Sequence, residues 1–199
     1  MRLAALMLVT TCVAACARSS AGPRACIAQA TAVYDTVPLV RRVDGTVWVV
    51  AADRQSFTEI VDAAGHLHAT DVAASGSTAY GSATGCAIVE GGRVACFPLA
   101  GPLIDSTPLG GGRGAGVTTS SVVAVVTSAD AAAAPLAGAR QLAASMNGGS
   151  AVFCVVTDAG SVACWGFDVD GILGRGDGMD ATFARPVLAD AATPFGDAV

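Results

Sequence analysis

Three segments of the chain share one pattern of apolar and polar positions. The stretches CAIVEGGRVACF, from Cys86, and CVVTDAGSVACW, from Cys154, each place an apolar run of about four residues on either side of a short polar stretch containing glycine. The copies agree at both cysteines, at Gly92 and Gly160, and at the Val-Ala pair before the second cysteine. A third copy, LVRRVDGTVWVV from Leu39, has Gly45 at the same offset and Leu39 and Val49 in the cysteine places. Two apolar runs around a glycine turn predict a β-hairpin. Upstream of each hairpin lies a further short apolar run, DVAAS from Asp71, QLAAS from Gln141 and, at the matching distance, CIAQA from Cys26. Each repeat therefore reads as a small antiparallel sheet, and the chain as all-β.

The cysteine spacing sets the turn. In both copies the cysteines are ten residues apart, an even difference that opposes them only around an odd loop. The simplest is three residues with glycine in the left-handed conformation. Cys86 then faces Cys96 around Glu90, Gly91 and Gly92, and Cys154 faces Cys164 around Asp158, Ala159 and Gly160. Opposed ladder positions suit a disulfide, so this register favours two bridges within hairpins over free buried thiols or bridges between sheets. Outside the leader, where Cys12 and Cys16 lie four apart, no cysteine pair has the short spacing of a structural zinc site, and no metal is expected. Cys26 is left without an assigned partner, and is expected to be free or bonded to a cysteine this chain does not contain.

Composition narrows the class. At 199 residues with 53% apolar side chains the chain can bury a core, but only 5% are aromatic, which suits thin sheet layers of Ala and Val. A net charge of −5 and only 11 Lys and Arg argue against nucleic acid as a partner. The first residues read as a targeting segment, 1–17, with Arg2 before the short apolar run LAALMLV. VAAC, ending at Cys16, resembles a lipobox whose cysteine is acylated; cleavage after Ala17 without lipidation is the rival reading, and an unprocessed strand the third. The first two readings place the folded part in an oxidising compartment. A short linker, 18–23, leads to repeats at 24–68, 69–136 and 137–190. The distance from Cys86 to Cys154 exceeds that from Leu39 to Cys86, so the second repeat carries an insertion. Its place is the glycine-rich LGGGRGAGVTTSS from Leu109, a loop rather than a phosphate cradle, since no Gly-Lys-Ser or Gly-Lys-Thr occurs.

The order cysteine, turn glycine, Val-Ala, cysteine, Trp165-Gly166, then FDVDGILGRGDG and RPV at Arg185 resembles the repeat of the regulator of chromosome condensation family, in its cysteine-rich bacterial secreted form. Gly171, Ile172, Leu173 and Gly174 stand where that repeat has Gly-Gln-Leu-Gly, and Asp168 where it has a polar Asn or Asp. The second repeat has Phe97-Pro98 in place of Trp-Gly. The resemblance implies a β-propeller of antiparallel blades, about seven in complete members. Gly45, Gly92, Gly160, Trp165, Gly166, Gly171, Leu173 and Gly174 would then shape the blades, glycines by close approach and Trp165 by filling the wedge between them. Three blades imply an open arc. The final PFGDAV matches PLAGARQL before the third hairpin, so the sequence is expected to end as a further repeat begins, with open edges prone to self-association.

Little in the sequence carries chemistry. Asp168, Asp170, Asp177 and Asp180 superficially suggest a calcium loop but lack the full ligand series, and turn capping is the preferred reading. His66 and His68, with Asp71 nearby, make at most half a metal site. No nucleophile elbow, metalloprotease motif or dinucleotide fingerprint occurs. The expectation is a secreted or lipid-anchored interaction module, not an enzyme and without cofactor. It would bind another protein or a glycan through blade loops, and touch the membrane only through a lipid anchor. The alternatives are a hydrolase using His66 or His68, and a nonfunctional propeller fragment.

Overall fold

A computed structural model describes residues 26–32, 38–50, 57–63, 65–77, 83–100, 122–127, 133–147, 150–190 and 193–196. It forms three four-stranded antiparallel sheets in chain order. Blade 1 contains β1 (Ile27–Ala32), β2 (Pro38–Arg42), β3 (Val47–Val50) and β4 (Phe57–Glu59). A small hairpin of β5 (Val61–Asp62) and β6 (Gly65–His66) follows. Blade 2 contains β7 (Ala69–Ser75), β8 (Ala83–Val89), β9 (Arg93–Ala100) and β10 (Val123–Ala124). Blade 3 contains β11 (Ala139–Asn147), β12 (Ser150–Thr157), β13 (Val162–Gly166) and β14 (Ala181–Pro186). No helix of the described residues is long and apolar enough to cross a membrane. The targeting segment, Cys16 and the glycine-rich stretch from Leu109 lie outside the described residues.

The central hairpins have the register that the spacing requires. Leu39 opposes Val49, Cys86 opposes Cys96 and Cys154 opposes Cys164. Both cysteine pairs are disulfide-bonded, with Cα atoms 4.0 and 4.1 Å apart. Each turn has three residues and ends in a left-handed glycine, with φ of 87° at Gly45, 66° at Gly92 and 72° at Gly160. Cys26 departs from expectation: it is disulfide-bonded, to a partner outside the described residues. Pairing cysteines by repeat could not find this bond, because Cys26 precedes the first strand.

The upstream strands also need one correction. Each carries a bulge at the same place, between Ile27 and Gln29, between Ala69 and Asp71, and between Ala139 and Gln141. Gln29, not Cys26, is therefore the counterpart of Asp71 and Gln141. Counting back from the hairpin failed because the turns joining first and second strands differ in length among blades.

Because opposed residues share a face, each sheet has a disulfide-side face and an opposite face, and the blades stack one kind upon the other. Leu39 and Val47 on the first face of blade 1 share a core with Val72, Ala87 and Phe97 on the opposite face of blade 2. Cys86, Ile88, Val94 and Cys96 on the first face of blade 2 share a core with Leu142, Phe153, Val155 and Trp165 on the opposite face of blade 3. Trp165 is fully buried and stacks on Phe153, with centroids 5.8 Å apart. It fills the wedge between blades 2 and 3. Phe97 holds its place in blade 2, where Gly85 leaves room for the ring: a Cβ there would lie 2.5 Å from Phe97 Cε2.

Candidate functional site

Three contacts recur at the joints between blades. First, the side chain after the bulge reaches the inner strand of the next blade. Val72 N–H donates to Gln29 Oε1 at 3.2 Å, and Leu142 N–H donates to Asp71 Oδ2 at 2.8 Å. Gln29 Nε2 also donates to Asp71 Oδ1 at 2.7 Å, so the two joints are linked. A bulge re-aims a side chain out of the ladder, which is why this residue can reach sideways. Second, the turn glycine closes against the start of the next inner strand. Gly45 O accepts from Ala69 N–H at 2.8 Å, and a Cβ on Gly92 would lie 2.8 Å from Gly138 N.

Third, the segment leaving each sheet folds back in the same way. Ile60, Val125 and Val187 donate their N–H groups to Val47, Val94 and Val162, and then accept from Leu67, Leu136 and Phe195 in turn. The alignment of PFGDAV with PLAGARQL is thus matched by backbone hydrogen bonds.

Among the described residues, the ends of the stack lack these partners. Ala69 and Ala139 are 5% and 6% exposed at their joints, whereas Ile27, their counterpart in blade 1, is 49% exposed. Leu67 and Leu136 are 2% and 5% exposed, whereas Phe195 is 44% exposed. Gln141, the counterpart of Gln29 and Asp71, is exposed, as is Ala143 beside it.

On the uncovered face of blade 1, Ile27, Val40, Arg42, Trp48 and Phe57 line a hollow of about 280 Å³. Phe57 is 56% exposed. Arg42 lies over the Trp48 ring, 5.3 Å from its centroid, and Trp48 Nε1–H donates to Thr46 Oγ1 at 2.9 Å. This hollow and the bare face of blade 3 form the candidate binding surface. Sequence reasoning missed it, although the signal was present in Trp48 and Phe57: large aromatics on strands of the one repeat whose hairpin has no cysteines.

The other singled-out residues have structural roles. Leu173 is fully buried, and its N–H donates to Asp168 Oδ1 at 2.8 Å. Asp168 N–H donates to Asp180 Oδ1 at 2.7 Å, and Met179 N–H to Asp177 Oδ1 at 3.2 Å. These aspartates cap turns. Arg175 is buried beside them, with Nη2 3.9 Å from Asp168 Oδ2 and 3.3 Å from Asp177 Oδ1. The Met179 N–H holds the Asp177 carboxyl below its ordinary range, helped by Arg175 and Arg185. Gly166, with φ of 117°, sits where a Cβ would come within 2.3 Å of Ala151 O. A Cβ on Gly174 would press on Val187 at 2.9 Å. Gly171 is left-handed in the same loop, and Ile172 points to solvent, 40% exposed.

His66 Nδ1 lies 2.6 Å from Glu59 Oε1, and His68 Nδ1 lies 3.1 Å from the carbonyl oxygen of Asp44. Their ring centroids are 6.3 Å apart. Asp71 is not with them: its carboxylate is taken up by Gln29, Val72 and Leu142. Among the described residues no three His, Cys, Asp or Glu side chains gather in a way that could hold a metal.

The fold and its joints define a partial β-propeller, three antiparallel blades with hairpin disulfides in an open arc. The solved structure of human WBSCR16 is similar over 82% of this chain and 41% of that one, at 14% identity and a TM-score of 0.48. The chain thus spans less than half the length of that structure. No family model and no curated protein matches the chain.

Proposed function

We propose that the chain is an extracytoplasmic interaction module, built from repeats of the regulator of chromosome condensation type, that binds another protein through its uncovered blade faces. The observation that carries this reading is the apolar hollow around Trp48 and Phe57. Ile27 and Phe57 are 49% and 56% exposed there, on a sheet face whose counterparts in blades 2 and 3 are buried. Adjacent exposed apolar side chains of this kind mark interaction surfaces. The two hairpin disulfides are compatible with an oxidising compartment.

The reading assigns no catalysis and no cofactor, and its acidic balance leaves nucleic acid out of the partners. Placing a photo-crosslinking residue at position 57 in cells that make the chain tests it. A discrete protein adduct that disappears when Trp48 is changed to Asp is expected. Adducts with glycan alone, or none, would overturn the protein-binding reading. Hydrolysis lost in His66→Ala with His68→Ala would restore the enzymatic one.

A further inference from the structure

Resting on the reading of the uncovered faces as a binding surface, we propose that the occupant is a second copy of this chain, docked head to tail. The disulfide-side face of blade 3 in one copy would cover the opposite face of blade 1 in the other. The two covered joints already use this one arrangement, and among the described residues each open end holds the half the other lacks. Blade 3 offers the Gln141 side chain, exposed at the place from which Gln29 and Asp71 reach sideways. Blade 1 offers Ala30, exposed on its inner strand at the place of Val72 and Leu142, whose N–H groups receive that reach.

The apolar parts match as well. Phe195 stands 44% exposed where Leu67 and Leu136 are buried at the joints, and Ile27 stands 49% exposed where Ala69 and Ala139 are buried. The Cys154–Cys164 bridge lies on the face of blade 3 that corresponds to the Cys86–Cys96 face, which blade 3 itself covers. Both faces are sheet faces of the same four-stranded kind, so docking extends an established packing mode rather than requiring a new one.

The contact is heterologous: the two surfaces differ, and one copy uses its third blade while the other uses its first. Such contacts close into rings when the rotation allows and otherwise grow into filaments. The smallest such assembly is a pair.

Complementary single-face variants of the full chain test this by sedimentation, since the leader residues are common to all and cancel in the comparison. Ala143→Glu blocks the blade 3 face and Phe57→Glu blocks the blade 1 face; both positions are exposed, and circular dichroism confirms that each variant folds. The wild type is expected to form a pair, and each variant alone to lose at least about a hundredfold in association. An equimolar mixture of the two variants should regain a pair through the one joint left intact. Gln141→Ala should weaken association by about tenfold without changing the fold. A wild type monomeric at all concentrations, or a mixture no better than its components, would overturn self-docking. A crosslink from position 57 to a different protein would likewise overturn it while leaving the binding-module reading in place.

Discussion

Asp71 binds one neighbour with each carboxylate oxygen: Oδ1 accepts from Gln29 Nε2 in blade 1, and Oδ2 accepts from Leu142 N–H in blade 3. One half-buried side chain thus joins all three sheets. In Asp71→Asn the side-chain amide must put an NH2 toward one of these donors, so one link is lost. The expected destabilisation is about 1.5–3 kcal/mol, the range for hydrogen bonds to charged groups. A lowered urea midpoint would show it, with loss of hydrogen-exchange protection at Leu142.

Gly91 and Gly92 separate two effects in one turn. Both are left-handed, with φ of 74° and 66°, so an Ala at either costs about 1–2 kcal/mol in backbone strain. A Cβ at position 91 meets nothing within 4 Å, whereas at position 92 it would lie 2.8 Å from Gly138 N in the next blade. Gly92→Ala should therefore exceed Gly91→Ala by a further 1 kcal/mol or so of lost packing. Equal thermal midpoints for the two variants would show that the joint yields without cost.

The two disulfides should differ in access to reductant. Cys86 and Cys96 are 0% and 1% exposed beneath blade 3, while in the other bridge Cys164 is 2% exposed but Cys154 is half-buried. Under native conditions dithiothreitol should open Cys154–Cys164 first, and Cys86–Cys96 only after blade 3 separates. Each bridge contributes somewhat under about 3 kcal/mol by loop-closure arguments. Timed alkylation and peptide mapping would read the order.

Acid should loosen the loop around Asp177. Its folded pKa is below the unfolded value, so the stabilisation it supplies is complete above the unfolded pKa and is lost as pH falls through the depressed folded value. Arg185 Nη1 donates to Asp177 Oδ2 at 3.2 Å. Arg185→Ala should raise the carboxyl titration midpoint seen by NMR, and Asp177→Asn should remove this step from the stability profile.

How far the sequence was legible depended on what each feature rests upon. Cys86, Cys96, Cys154 and Cys164 fix a local register through spacing alone, so the hairpins and their glycine turns could be read directly. Asp71 and Gln141 were visible as matched strand starts, yet the reach of Asp71 between blades was hidden. It depends on a bulge, and a bulge leaves no mark in an apolar alternation. Gln29 was missed because turn length, not residue count, sets its place. The burial of Arg175 was equally illegible, since a charged residue among glycines reads as a solvated loop.

The covering of Cys86 and Cys96 by blade 3 also imposes an order in time on biogenesis. Once Trp165 and Phe153 have settled against that face, no oxidase active site can approach the two thiols. The second hairpin must therefore be oxidised before the third repeat folds over it. The length of chain between Cys96 and the third hairpin then acts as a delay, during which the second hairpin can close its bridge before the third covers it.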